Sequence, residues 1–278
     1  MNYLKEIWAS RELLANLTLR DIRGQYKRTI IGRLWSLVNP LAAMLIYTLV
    51  FSFIIRVQPD PGDPSGLDIF AVWLLCGLLP WNFFAMTVQT SMGSIIANTG
   101  LVQKVYFNRL VLPLASVGAI GFNWLFEMGV LLVTLVLCGA FVWPWIPLVA
   151  LTMVILAAFA TGIGLMLSIA NVHFRDTQYL IGIVMQIWMY LTPVIYPINL
   201  MQAQSDRIGT IPGTGFTLID LYRLNPMERF VEIFRNLLYD NRWPDGGTML
   251  YVTVAALLSL VLGLWVFRSN ERKLAEAL

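Results

Sequence analysis

The sequence predicts an all-α integral membrane protein with six transmembrane helices. Of its 278 residues, 58% are apolar and only 13% are charged, and the mean hydropathy is +0.70. A soluble domain carries about a quarter charged residues, so a soluble enzyme and a disordered chain are both excluded. Each of six apolar stretches is long enough to cross a bilayer. These stretches are 38–55, 69–96, 111–137, 146–169, 178–196 and 248–267.

The charges predict how these six spans are oriented. The segments that fall on one side are 1–37, 97–110, 170–177 and 268–278. They carry 13 Lys and Arg residues, whereas the segments on the opposite side carry 6 in a similar length. Loops rich in Lys and Arg stay in the cytoplasm. We therefore expect both chain termini to be cytoplasmic.

Residues 10–27 predict an amphipathic helix that lies along the cytoplasmic membrane surface. Arg20 and Arg23 fall on its polar face. The predicted apolar face consists of Ala15, Leu19, Ile22 and Tyr26. Such a helix can act as a simple membrane anchor, as a docking surface for a cytoplasmic partner, or as a contact for an anionic lipid headgroup. The residues alone leave these three roles open.

The short cytoplasmic loop 97–110 concentrates two cations and two aromatic side chains. They are Lys104, Tyr106, Phe107 and Arg109. Aromatic residues beside cations are typical of protein interfaces, and they are equally typical of a tight turn at headgroup depth. Both interpretations remain.

Residues 197–247 form a long segment on the predicted outer side. An amphipathic helix within it is indicated by apolar residues at helical spacing. These are Phe230, Ile233, Phe234, Leu237 and Leu238. The helix is too short and too charged to cross the bilayer, so it lies at the outer interface or dips in and returns. It is either a passive cap or an outer gate, and we expect it to be one of several short outer helices between the fifth and sixth spans.

Amides and aromatic rings within the spans are candidates for a channel lining. Aromatic rings bind flat apolar faces and amides bind hydroxyls, so such a lining suits a neutral glycan. The alternative for each side chain is helix packing or a place in an interfacial belt. The candidates are Tyr47, Phe51, Asn82, Met86, Gln89, Gln186, Trp188, Tyr190 and Tyr196.

No catalytic or metal centre is indicated. The sequence has no G-x-x-x-x-G-K-[ST] loop to bind ATP. His173 alone cannot build a metal centre, no spatially plausible Ser/His/Asp set is indicated, and Cys76 and Cys138 form no C-x-x-C pair. Glu127 is the one acid placed well inside a span, which is too little for a proton relay. A transporter without an ATP-binding loop or a proton relay needs a separate subunit to supply energy.

Five ordered motifs resemble the membrane (permease) subunit of type-2 ABC exporters. More narrowly, they resemble the branch that exports polysaccharides such as O-antigen, teichoic acid and galactan. The likeness extends from about residue 20 to residue 267. The motifs are RDIRGQYKRTIIGRLWSLVNPL, GLLPWNFF, KVYFNRLVLPLA, NVHFRDTQYLIGIVMQIWMYLTPVIYP and NPMERFVEIFRN. A departure is Asn108, where many members are expected to have proline.

This resemblance implies a homodimer in the bacterial inner membrane with two copies of a cytoplasmic ATPase, which would bind the ATP and Mg²⁺. It implies a lipid-linked glycan as substrate, no cofactor on this chain and no nucleic acid. The corresponding segments are a cytoplasmic N-terminal part at 1–31, the transmembrane domain at 32–270 and a tail at 271–278.

The same resemblance assigns roles to the cytoplasmic side chains. The lipid pyrophosphate would meet Arg28 and Arg33. The ATPase would contact Arg20, Arg23, Lys104, Tyr106, Phe107 and Arg109. The alternatives are a type-2 exporter of a small drug or lipid, a membrane glycosyltransferase, and a secondary transporter that depends on Glu127.

Overall fold

The computed structural model describes residues 10–25, 32–54, 60–105, 107–210, 215–271 and residue 274. Within these ranges the protein is helical, and the one β-type contact is a single bridge between Thr210 and Thr217. The predicted all-helical class is confirmed. The α-helices are α1 (Arg11–Gln25), α2 (Trp35–Tyr47), α3 (Phe70–Ala97), α4 (Thr99–Lys104), α5 (Val111–Leu137), α6 (Ile146–His173), α7 (Thr177–Tyr190), α8 (Asn199–Ile208), α9 (Leu218–Tyr222), α10 (Pro226–Arg235) and α11 (Gly246–Asn270).

Four helices are long and apolar enough to cross a membrane, and they match the second, third, fourth and sixth predicted spans. They are α3, α5, α6 and α11. The helices at the first and fifth predicted spans are shorter. α2 continues as a π-helix over Thr48–Ile54. α7 ends at Tyr190 rather than at residue 196, because Pro193 cannot continue a helix. The count of six spans therefore stays a prediction, as does the orientation of the termini.

The central helix of the fold is α3, which contacts α5, α6, α7 and α10. Its wholly apolar first half and its aromatic residues explain this position. The ring of Phe83 stacks on Trp124 of α5 with centroids 3.9 Å apart. On another side, Phe84 stacks on Phe159 of α6 at 5.6 Å. Offset aromatic pairs of this kind add about 0.5–1.5 kcal/mol beyond their buried area.

The crossing of α6 and α11 depends on glycine. A Cβ atom at Gly162 would collide with the backbone of Ser259, and one at Gly263 would collide with the backbone of Gly162. Small residues let helix backbones approach closely where water supplies no driving force. Gly162 and Gly263 therefore allow α6 and α11 to pack backbone against backbone.

Replacing Gly162 with valine is therefore expected to lower the free energy of unfolding by about 2 kcal/mol, because the side chain overfills a closed crossing. Thermal unfolding of the purified protein in detergent measures this loss. The matched control is Gly129→Val in α5, where an added Cβ meets no atom within 4 Å. Equal unfolding temperatures for the two variants would contradict the close crossing.

The predicted outer amphipathic helix corresponds to α10, and it dips into the bundle. Its apolar residues Phe230, Ile233 and Phe234 are fully buried. They pack against α3, α6 and α11, and a second π-helix continues α10 over Asn236–Asp240. The apolar face of α10 therefore packs against protein, and the position of the helix relative to the membrane stays a prediction.

The N-terminal amphipathic helix is present as α1, but its buried face differs from the prediction. Ala15 and Leu19 are exposed, whereas Leu17 and Ile22 are buried. The reason is a tertiary contact: α1 packs along α5, where a Cβ at Gly118 would lie 3.1 Å from Thr18. Tyr26 lies outside the described residues.

Candidate functional site

Asn225 joins the end of α7 to the start of α10 through four hydrogen bonds. Its Oδ1 accepts from the backbone N of Met227 at 3.0 Å and from Nε1 of Trp188 at 2.8 Å. Its Nδ2 donates to the carbonyl of Leu191 at 3.2 Å and to Oγ1 of Thr192 at 2.9 Å. The Asn-Pro pair is a favourable start for a helix, because asparagine caps it and proline fits its first turn. Here the capping side chain also donates to the carbonyl of Leu191, directly after the last residue of α7.

Arg235, at the other end of α10, also bonds to the turn that follows α7. Its Nη1 donates to the carbonyl of Pro193 at 2.6 Å and its Nη2 to that of Val194 at 2.8 Å. The guanidinium lies 3.6 Å above the ring of Trp73 in α3. Gly77 leaves room for it, since a Cβ there would lie 2.9 Å from Nη2. Burial lowers the pKa of Arg235 to about 9. We call Asn225, Arg235 and the residues they bond the α7–α10 junction.

Several of the candidate channel residues belong to this packed region. Trp188 is bonded to Asn225 and lies edge-on to Phe84 at 5.1 Å. The hydroxyl of Tyr196 donates to the carbonyl of Tyr190 at 2.7 Å and bonds to the hydroxyl of Tyr222. These contacts give Trp188 and Tyr196 a packing role.

The remaining candidate channel residues are either partly buried or exposed. Tyr47 and Phe51 lie with ring centroids 6.5 Å apart, and Phe51 stacks on Phe70 at 6.4 Å. Asn82 is half-buried. The exposed candidates are Met86, Gln89, Gln186 and Tyr190. These exposed side chains are the ones available to a substrate or to a second copy of the chain.

The predicted ATPase-contact segments meet at one end of the molecule. Leu17 of α1, Val102 of α4, Leu110 and Phe267 of α11 form a buried group that we call the basal cluster, and Phe107 packs against it. Gln25 at the end of α1 accepts a hydrogen bond from Asn123 of α5 at 2.6 Å. The helix and the loop are thus parts of one packed unit.

The cations predicted in this region differ in their surroundings. Arg23 and Lys104 are exposed, and Arg20 forms an exposed ion pair with Asp21 at 2.8 Å. Such a pair is worth little, so a partner can still bind Arg20. Arg28 and Tyr106 lie outside the described residues, as does the side chain of Arg33.

Arg109 has an intramolecular partner that the sequence does not reveal. Its backbone N donates to Oε1 of Glu271 at 3.1 Å, and its guanidinium donates to the main-chain carbonyl of Glu271. Asn108, the departure from the family pattern, accepts a hydrogen bond from the backbone N of Leu110 at 3.0 Å. The end of α11 therefore holds the loop in place.

Replacing Glu271 with alanine is expected to speed amide hydrogen exchange in residues 107–110, because the backbone N of Arg109 loses its acceptor. A bond of this kind contributes about 1 kcal/mol, which corresponds to roughly fivefold faster exchange. Glu271→Gln keeps an acceptor oxygen and is the matched control. Unchanged exchange in the alanine variant would show that the bond does not hold the loop.

Glu127 is half-buried on α5. Across the ranges that the structure describes, no group of three His, Cys, Asp or Glu side chains is placed to hold a metal ion. The described residues place α10 among the packed helices and the basal cluster between α1, α4 and α11.

Comparison with known proteins identifies the family. The model of the ABC-2 type transporter family matches residues 12–239, from α1 to the end of the π-helix after α10. The chain belongs to the ABC-2 type transporter family. The family resemblance drawn from the five motifs is confirmed, and the chain is a multi-pass membrane protein.

Several curated proteins are similar to the chain over more than nine tenths of its length. The O-antigen export system permease protein RfbA of Klebsiella pneumoniae is 30% identical over 276 residues, which cover 96% of this chain and 95% of that protein. RfbA of Myxococcus xanthus is 27% identical, covering 99% and 98%. The polysialic acid transport protein KpsM of Escherichia coli is 27% identical, covering 92% of each. The matched region contains both the α7–α10 junction and the predicted ATPase-contact segments.

Proposed function

We propose that the chain is the membrane-spanning subunit of an ATP-driven exporter that moves a polyprenyl-pyrophosphate-linked polysaccharide across the bacterial inner membrane. The observation that carries the proposal is the end-to-end match to permeases named for O-antigen export and polysialic acid transport. Two of these relatives are named as permease proteins, which supports the role of membrane component rather than ATPase.

The working unit in this proposal is a homodimer with two ATPase subunits. Each chain would contribute six spans, with α2 and α7 completing the four long helices. Along α7 the apolar side chains face outward: Tyr179, Leu180 and Ile183 are each about 60–70% exposed. A second copy of the chain, with lipid around it, would cover this helix.

The surface around the basal cluster would bind the ATPase. Arg20, Arg23 and Lys104 are exposed there, and Phe107 and Arg109 belong to the loop that Glu271 holds. Tyr106 is the remaining proposed contact. Arg28 and Arg33 would bind the lipid pyrophosphate, since guanidinium groups bind phosphate oxygens in a bidentate manner.

The α7–α10 junction would carry movement to the outer side. Because Asn225 and Arg235 bond the turn after α7, a displacement of α7 moves α10 with it. Tyr47, Phe51, Met86, Gln89, Gln186 and Tyr190 would then face the passing glycan, with Asn82 beside them.

Depleting the protein tests the proposed function. We expect a lipid-linked glycan to accumulate on the cytoplasmic side, and expression of the wild-type chain to restore export. A Lys104→Glu, Arg109→Glu chain that reaches the membrane should fail to restore it. The proposal is overturned if no glycan accumulates, or if a small drug or a lipid without sugar accumulates instead.

A further inference from the structure

The chain directly after α11 packs against the predicted cytoplasmic end of the molecule. Leu274, four residues after α11 ends, is fully buried. It belongs to the basal cluster together with Leu17 of α1, Val102 of α4 and Leu110. Phe267, near the end of α11, is equally buried in the same cluster. The end of α11 is therefore packed against both of the segments that would contact the ATPase.

Two hydrogen bonds attach the loop 107–110 to the end of α11. The backbone N of Arg109 donates to Oε1 of Glu271 at 3.1 Å, and the guanidinium of Arg109 donates to the main-chain carbonyl of Glu271. The next residue, Leu110, is fully buried in the basal cluster. Because the first bond comes from the main chain, it holds the path of the loop and not only one side chain. A displacement of the loop therefore either breaks both bonds or moves the end of α11.

The opposite end of α11 is bonded to the residues on either side of the start of α10. Before α10, the carbonyl of Leu224 accepts a hydrogen bond from the hydroxyl of Tyr251 at 2.6 Å. Within α10, Nη1 of Arg229 donates to Oγ1 of Thr248 at 3.3 Å. Helix α10 begins at Pro226, between these two contacts. A displacement of this end of α11 therefore moves the start of α10.

Helix α11 can transmit a displacement from one end to the other. It is continuous over 25 residues and contains no proline, so it spans about 38 Å without the commonest cause of a kink. Its close crossing with α6 lies near its middle, where Oγ of Ser259 donates to the carbonyl of Phe159 at 2.9 Å. Another side of the helix is exposed, as at Leu257, Val261 and Trp265. A helix that is held at one crossing and free on another side can tilt as a unit.

We propose that Glu271 is a positioning residue that passes the ATPase-driven movement of the loop 97–110 to α11 and, through α11, to α10. This inference rests on the proposed function and adds a second route to the one through the α7–α10 junction. A coupling free energy between two sites is reciprocal, so breaking the contacts at either end of α11 should weaken it. Spatial contact alone does not establish coupling, and the test therefore breaks the contacts at each end separately.

The test uses the complete transporter with its ATPase in lipid nanodiscs. Leu224→Cys places an exposed thiol directly before α10 and keeps the main-chain carbonyl that Tyr251 bonds. Cys138→Ala removes the half-buried thiol, while the fully buried Cys76 stays. Maleimide labelling is timed without nucleotide and again with Mg²⁺ and a non-hydrolysable ATP analogue. The ratio of the two rates reports movement at the start of α10.

In this parent protein the analogue is expected to change the labelling rate by about fivefold, at the lower end of usual coupling between sites. Glu271→Ala should reduce the change to less than about twofold while the ATPase still copurifies with the chain, and Glu271→Gln, which keeps an acceptor oxygen, should restore most of it. Tyr251→Phe removes the hydroxyl that bonds Leu224 and should have the same effect from the other end. The matched control is Thr253→Val, because the hydroxyl of Thr253 bonds within α11, to the carbonyl of Met249.

The two substitutions interrupt one route, so a chain with both Glu271→Ala and Tyr251→Phe should export no more slowly than the slower single variant. The inference is overturned if the analogue leaves the labelling rate of the parent unchanged, or if Tyr251→Phe retains the full change. It is also overturned if Thr253→Val loses as much of the change as Tyr251→Phe, or if Glu271→Ala releases the ATPase.

Failure here differs from failure of the proposed function. If depletion still causes a lipid-linked glycan to accumulate while the Glu271→Ala and Tyr251→Phe variants label as the parent does, the route through α11 is wrong and the export function stands. If no glycan accumulates on depletion, the proposed function itself is wrong.

Discussion

Replacing Arg235 with methionine is expected to lower the free energy of unfolding by about 3 kcal/mol. The change leaves the carbonyls of Pro193 and Val194 without a donor in a buried turn. It also removes the contact with the ring of Trp73, worth up to about 2 kcal/mol when desolvated. The variant no longer has to bring the charged guanidinium out of water, and this gain offsets part of the loss. Thermal unfolding in detergent measures the effect, and export by the variant should fall with it.

Two further variants separate this effect from a general loss of positive charge. Arg235→Lys keeps the charge but cannot donate to both carbonyls in the planar arrangement of a guanidinium, so an intermediate loss is expected. Arg207→Met removes an exposed arginine from α8 and should change stability by less than about 0.5 kcal/mol. If the Arg235→Met and Arg207→Met variants unfold alike, Arg235 does not hold the junction.

Replacing Asn225 with alanine should cost a similar amount, about 3 kcal/mol, because one side chain serves both helices. The change removes the cap of α10, worth about 1 kcal/mol. It also removes the acceptor of Trp188 Nε1 and the donor to Oγ1 of the buried Thr192, at a cost of about 1 kcal/mol or more for each. The measurement is again thermal unfolding, with export assayed in parallel.

Asn225→Asp supplies a sharper comparison. Aspartate keeps the acceptor for Met227 and Trp188 but has no donor for Leu191 and Thr192. The aspartate variant should therefore regain about half of the stability that the alanine variant loses. Asn199→Ala removes an exposed asparagine with one bond at 3.3 Å and is the matched control. An aspartate variant no more stable than the alanine variant would show that the acceptor bonds of Asn225 add nothing.

For helix α10, the sequence predicted the apolar face but not the surroundings of the charged side chains. Its apolar spacing correctly predicted a helix with Phe230, Ile233 and Phe234 on the inner face. An amphipathic pattern places the charged residues in water, yet Glu228 is buried and Arg235 is half-buried. Arg235 bonds to Pro193 and Val194, about 40 residues earlier in the chain, and periodicity carries no information about contacts at that distance.

The same limit applies to α1 and to the segment 97–110. Helical spacing predicted that α1 exists, but several faces of it were comparably apolar, and packing along α5 selected the one with Leu17. The segment 97–110 was predicted as a loop that clusters aromatic and basic residues, and the structure shows that Thr99–Lys104 within it form helix α4. The segment's bond to Glu271 joins positions 162 residues apart, which only the tertiary structure brings together.

Reconstitution tests the central claim most directly. The chain and its ATPase partner are placed in vesicles that carry a neutral polyprenyl-pyrophosphate-linked polysaccharide on the outer leaflet, and Mg-ATP is added outside. We predict that the glycan becomes protected from an added glycosidase only when ATP is hydrolysed, and that a vesicle containing the ATPase without this chain protects none. Full susceptibility of the glycan during sustained ATP hydrolysis by the intact complex would contradict the account.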